Sequence, residues 1–174
     1  SYGWTFVAAN GANFYGNGAW ETTTSDKTDV IALIPLATGG LAGAIARQQF
    51  PCTGQSMPSA SACYEFAFTA GALEDAKFYE DSACEGDAWI LSGATLPGAS
   101  RYAVTRNSLN GPVLMVATGS MYLGPMNQGF TPLRVRFGDG SCQGFGPTLS
   151  SVFKLEQEIV LNQAFPGPIT SVGF

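Results

Sequence analysis

The side chains able to do covalent or proton-transfer chemistry are few and of restricted kinds: four cysteines, thirteen carboxylates, eight Lys and Arg, and no histidine. Without imidazole, the usual Ser-His-Asp and Cys-His nucleophile systems are missing, and so are imidazole-held zinc, copper and non-haem iron. No GxSxG, P-loop or strand-to-helix GxGxxG occurs, and Gly138-Asp139-Gly140 reads as a turn. What remains to an enzyme is a pair of carboxylates acting as acid and base on a glycosidic bond. Glu65, flanked by Tyr64, Phe66 and Phe68, is the acid placed for partial desolvation, although strand alternation puts it on a solvent face opposite those aromatics. Glu74, Asp75, Glu80, Asp81, Glu85 and Asp87 form a run that reads as a solvated turn region or, alternatively, as loop oxygen ligands for calcium without EF-hand spacing. The expectation is a non-enzyme with no cofactor, the alternative being a histidine-free, carboxylate-dependent hydrolase.

Cys52, Cys63, Cys84 and Cys142 are even in number, without a CxxC pair and without histidine, which points to disulfides and an oxidising compartment. Of the three pairings possible, Cys52 with Cys63 and Cys84 with Cys142 are favoured. In the chain-entropy model the shorter loop contributes about 3 kcal/mol and the longer about 4. The sequence starts at Ser1 with no charged or apolar leader ahead of it, as expected for a secreted chain whose signal peptide has been removed.

The elements that must carry these residues are strands. Val135 and Phe137 fall with Leu133 on one side of an alternating segment and Arg134 with Arg136 on the other; Phe153, Leu155, Gln157 and Ile159 alternate with Lys154, Glu156 and Glu158. If these two strands pair, Arg meets Glu across them. Further strands are expected at Trp4 to Ala8, Val30 to Ala37, Tyr64 to Thr69, Ala76 to Tyr79, Trp89 to Ser92, Tyr102 to Thr105, Val113 to Thr118 and Ser120 to Leu123. Leu41 to Gln48 reads as a strand or a short helix. Val30 to Ala46 is uncharged for 17 residues, but Pro35 and Gly39-Gly40 interrupt it and it is short for a bilayer, so no membrane span is expected. Many short strands with Gly and Pro punctuation predict one all-β, mainly antiparallel domain over residues 1–174, a β-sandwich or jelly-roll with hairpins and at most one or two short helices.

One local pattern recurs. Tyr79-Glu-Asp81-Ser-Ala-Cys84-Glu-Gly86 aligns with Phe137-Gly-Asp139-Gly-Ser-Cys142-Gln-Gly144, and Tyr15-Gly-Asn17-Gly-Ala-Trp20 is a weaker copy. Each reads as a strand ending in a buried aromatic, an Asp or Asn turn, and a return strand. Equivalent cysteines in equivalent hairpins of two sheets are the reason to pair Cys84 with Cys142. The stretch Phe78 to Gly86 resembles the first hairpin of the βγ-crystallin Greek-key motif, with Cys84 where that family places an aromatic. Thr148-Leu149-Ser150-Ser151 is similar to the tail of that family's calcium signature, with Gly146 and Pro147 in place of its paired Asp or Asn.

Charged residues make up 12% of the chain and net charge is −5, so no basic face exists to attract nucleic acid. A weakly charged surface suits association. Two terminal segments, 1–9 and 164–174, look exchangeable: Trp4 and Phe6 in the first, and Ile169, Val172 and Phe174 after Pro166 and Pro168 in the second, are apolar residues suited to complete a neighbour's sheet. The functional expectation is a secreted, non-enzymatic structural subunit that polymerises with itself into a filament or surface layer by donor-strand exchange. The alternative is a monomeric binding or inhibitor module using Tyr15, Trp20, Trp89 and Tyr122, residues that serve equally as core.

Overall fold

The computed structural model of the chain describes residues 4–17, 29–49, 63–67 and 76–173. Among these residues the strands are β1 Trp4–Val7, β2 Asn13–Asn17, β3 Asp29–Pro35, β4 Leu41–Gln49, β5 Cys63–Ala67, β6 Lys77–Tyr79, β7 Ala88–Ile90, β8 Ala103–Arg106, β9 Val113–Tyr122, β10 Arg134–Arg136, β11 Cys142–Gly144, β12 Val152–Val160 and β13 Ile169–Gly173. One four-residue helix, α1 Leu161–Ala164, and a single 3-10 turn at Pro125–Asn127 accompany them. The fold is all-β and mainly antiparallel, as the alternation predicts. It divides into two compact units, residues 1–67 with 95–100 and 160–174, and residues 68–94 with 101–159.

In the first unit the pairings run in a closed ring, β1-β13-β5-β4-β3-β2 and back to β1. Strand parity assigns the interior. Phe14 lies opposite Phe6, Gly16 opposite Ala32, Ala46 opposite Phe66, and Ile169 opposite Tyr64. The ring is filled by aromatics from three strands and by Phe165 after α1: Phe6 stacks on Phe14 at 5.0 Å, Phe6 meets Tyr64 edge-on at 4.9 Å, and Phe14 meets Phe165 at 4.7 Å. Room for them comes from β4, whose Ala42, Ala44 and Ala46 on the same side are buried and small. Each buried aromatic contributes about 1.5–3 kcal/mol from area alone, and each ring pair adds about 0.5–1.5.

The apolar run at Val30 to Ala46 becomes the hairpin β3–β4, with seven cross-strand pairs from Asp29↔Arg47 to Pro35↔Leu41. Helix is excluded at Leu41–Gln49 because β3 and β5 flank it on both sides and satisfy its backbone. Both faces of β3 are buried: Ala32 and Ile34 look inward, while Ile31 and Leu33 pack with Ile45 and Ala67 under Leu41, Leu96 and Ala99. Gly43 is needed there, since a Cβ would lie 2.8 Å from that of Leu96. At the hairpin's open end the Arg47 guanidinium donates to both carboxylate oxygens of the buried Asp29, at 3.0 and 3.1 Å. No helix among the described residues is long and apolar enough to cross a membrane.

The second unit is a seven-stranded sheet in the order β11-β10-β6-β7-β12-β9-β8. Phe78, Val135, Val152 and Phe130 form its main core with Trp89, Tyr122 and Phe145 packed against them. Three sequence expectations are corrected here. Strands β10 and β12 are not neighbours, because β6 and β7 lie between them, so Arg134 and Arg136 do not meet the β12 glutamates across a strand pair. Alternation fixes which face a charge occupies and is silent on which strand comes next. Leu133 is the second: it precedes the strand proper and is 57% exposed, whereas Val135 is 1% exposed. Also, the two strands expected at Val113 to Thr118 and Ser120 to Leu123 are one, Val113–Tyr122, in which Gly119 takes a positive φ of 84°.

The charges that do reach β12 come from elsewhere. Lys77 Nζ donates to Glu158 Oε2 and Arg106 Nη2 to Glu158 Oε1, each at 3.0 Å, and Arg101 pairs with Glu156. The Lys77 and Arg106 side chains are only 11% and 9% exposed. One carboxylate thus receives two largely buried cations. Replacing Glu158→Ala should lower stability by about 2–4 kcal/mol in urea denaturation, because it removes the carboxylate to which both cations donate, with Glu158→Gln costing less. A loss within the range of ordinary surface changes, under about 0.5 kcal/mol, would contradict this assignment.

Candidate functional site

Two local constructions gather the residues singled out by the sequence, one in each unit. In the first unit the terminal strands lie side by side. β1 and β13 pair antiparallel through Trp4↔Gly173, Thr5↔Val172, Phe6↔Ser171 and Val7↔Thr170. Phe6 is fully buried and Ile169 is 3% exposed, so both belong to the ring's interior. Val172 sits in the strand opposite Thr5, and Trp4 opens β1. Phe174 lies outside the described residues.

The segment leading into β13 is anchored just before it. Phe165 packs against Phe14 and Phe66, the Ala9 N–H donates to the Pro166 carbonyl at 2.9 Å, and the Asn10 amide donates to the Ala164 carbonyl at 3.3 Å. Asn10 also folds its own loop by accepting the Ala12 N–H at 3.0 Å. The β1–β2 loop therefore grips the chain where β13 begins.

In the second unit the repeated signature is two hairpins, β6–β7 and β10–β11, joined through the β6–β10 pair. The disulfide Cys84–Cys142 connects them, as the repeat suggests, with Cα atoms 6.1 Å apart. It links positions within one sheet and not across two. Cys84 is buried against Tyr79, Ala88 and Leu155, while Cys142 on the edge strand β11 is exposed. Cys63 is also disulfide-bonded, and its expected partner Cys52 lies outside the described residues.

Each signature aspartate makes its turn. Asp81 Oδ2 accepts the N–H of Ala83 at 2.8 Å and of Glu85 at 3.1 Å; Asp139 Oδ1 accepts the Ser141 N–H at 2.9 Å and its hydroxyl at 2.7 Å. The Ser141 hydroxyl, and after it the Ser141 N–H, hold the Asp139 carboxyl below the usual carboxylate range. Arg136 ties the two turns together, donating to the Gly140 carbonyl at 2.8 Å and to the Cys84 carbonyl at 3.3 Å. Sequence alternation placed Arg136 on a face but could not show this bridge, which depends on the β6–β10 register.

The remaining candidates separate. Glu65 is on the exposed face of β5, between buried Tyr64 and Phe66. Glu80, Asp81, Glu85 and Asp87 line a shallow concavity with Gly86; among the described residues no group of three or more His, Cys, Asp or Glu is arranged to hold a metal ion. Glu74, Asp75 and Trp20 lie outside the described residues. Trp89 and Tyr122 stack on one another at 5.0 Å, with Phe130 5.3 Å from Trp89, and Tyr15 is 38% exposed on the outer side of the ring. Thr148, in the segment similar to a calcium signature, shares a hydrogen bond of 2.8 Å with Thr131. The chain matches no family model, no curated protein and no solved structure, so sequence and geometry alone carry the functional reading.

Two outcomes test this hairpin pair. Replacing both Cys84→Ser and Cys142→Ser should cost about 4 kcal/mol of stability in the chain-entropy model, read by chemical denaturation under non-reducing conditions. Asp139, observed by carbon-detected NMR titration, should lose its proton at a pH below the model-peptide value of about 3.9. Because its folded pKa is depressed, its contribution to stability is complete above the unfolded pKa and disappears as pH falls through the folded one; a midpoint at or above about 3.9 would refute the Ser141 contacts.

Proposed function

We propose that this chain is a secreted, non-enzymatic structural protein that assembles with copies of itself into an extracellular filament or surface layer, and that its terminal segments 1–9 and 164–174 make the connection. The observation that carries this reading is the direct pairing of β1 with β13, which makes the two segments complementary to each other in register and in their burial of Phe6 and Ile169. Segments that fit each other within one chain fit equally well between two chains.

Three further features support it. The surface is poor in charge, with 12% charged residues overall, so electrostatic repulsion between copies is weak. The Cys84–Cys142 bridge suits an oxidising compartment, where such links persist. Four of the carboxylates are engaged in structural contacts: Asp29 is held by Arg47, Glu158 by Lys77 and Arg106, and Asp81 and Asp139 by their own turns.

Light scattering on the purified protein across a concentration series, beside negative-stain microscopy, tests the reading. Polymers or sheets that grow with concentration are expected. A species of single-chain mass at every concentration would overturn it and leave the monomeric binding module in its place.

A further inference from the structure

The ring of the first unit contains one strand unlike the other five. β1 with β2, β2 with β3, β3 with β4 and β4 with β5 are each paired to a neighbour in sequence, whereas β13 is held by β1 and β5 alone, both distant in the chain. Removing β1 would also break the hairpin it forms with β2, four pairs closed by the short loop in which the Ala8 N–H donates to Ala12 O at 2.8 Å. Removing β13 breaks no hairpin.

β13 is also hinged at a defined point. Among the described residues it pairs with β5 through Ile169↔Tyr64 and Thr170↔Cys63, and with β1 from Trp4↔Gly173 to Val7↔Thr170. Its sequence, Ile-Thr-Ser-Val-Gly, brings no aromatic ring to a barrel whose packing rests on Phe6, Phe14, Tyr64, Phe66 and Phe165. The last of these belongs to the anchored segment and would stay behind. Between the anchor at Pro166, fixed by the Ala9 N–H, and the start of the strand lie Gly167 and Pro168, a two-residue pivot whose proline cannot donate to any ladder.

We propose that β13 is the element exchanged between copies: it swings out at Gly167–Pro168 and enters the slot between β1 and β5 of a second copy of this chain. The occupant is specified by the slot itself, because β13 of the second copy presents the same register to Trp4–Val7 and to Cys63–Tyr64 that the resident strand uses. No pairing is lost in the exchange, so the balance between closed and linked copies is set by the conformations open to the pivot and by concentration. A donor of this kind leaves each copy both giving and receiving one strand, which generates a head-to-tail chain of copies and hence a filament, unless two copies close on each other as a dimer. The inference rests on the self-assembly reading above and adds which strand moves.

The test uses Val7 and Thr170, Cα partners across the seam and each partly exposed. In the full chain carrying Val7→Cys and Thr170→Cys, polymer is allowed to form and is then oxidised. Exchange predicts that residues 7 and 170 link different copies, giving a covalent ladder on a non-reducing denaturing gel, and hybrid cross-links when isotope-labelled and unlabelled chains are mixed before assembly. The same variant oxidised first in dilute monomer should lose polymerisation. Polymer whose 7–170 links are all within one chain, or in which no such link forms, overturns exchange while leaving self-assembly standing. Absence of polymer from the unmodified chain overturns both.

Discussion

A β-strand without a neighbour on one side leaves a row of backbone groups unpaired, and the first unit avoids that with a closed circuit of six strands. Every other property of the unit depends on that closure. The circuit fixes strand parity, parity fixes which residues look inward, and the inward set must then fill a narrow interior without voids. Aromatics on β1, β2 and β5 and alanines on β4 are the solution found here. The last partner in the circuit is supplied by residues far apart in the chain, so β1 and β13 complete together what neither completes alone.

The second unit solves the same problem differently. Its sheet is open, with β11 and β8 at the two ends of the strand order. β11 is three residues long and is tied down through Cys142, while β8 is extended by an isolated bridge from Ala94 to Ala103. Short, covalently fastened edges resist pairing with stray strands. Charge is placed with similar economy: of few cations, Lys77 and Arg106 converge on Glu158, and Arg136 bridges two turns.

Much of this is legible in the sequence where the signal is local. Alternation at Phe153 to Ile159 marks β12 because each residue's face depends only on its neighbours. The twofold Asp-x-small-Cys pattern marks two turns and the cysteines that join them, since a turn is made by its own residues. Neighbour choice is not local. Nothing in Leu133 to Phe137 says that β6 will lie between it and β12's glutamates, and nothing near Lys77 or Arg106 announces Glu158. Leu133 misleads because a strand of three residues ends before the alternation does. The ring, likewise, is a property of six segments at once; apolar ends of the chain suggested strands seeking a partner, while the register showed that they hold each other.

The bond between Cys84 and Cys142 encloses the 58-residue separation between them, and within it fall exposed loops at Asn107–Gly111 and Gly124–Gly129, the latter carrying Met126 at 83% exposure. Exposed loops of this kind are the preferred sites of proteolytic nicking. A backbone cut at either one leaves two pieces that remain covalently joined, each still paired to the other through the sheet. The second unit is therefore built so that a single nick changes the chain's connectivity without releasing a fragment.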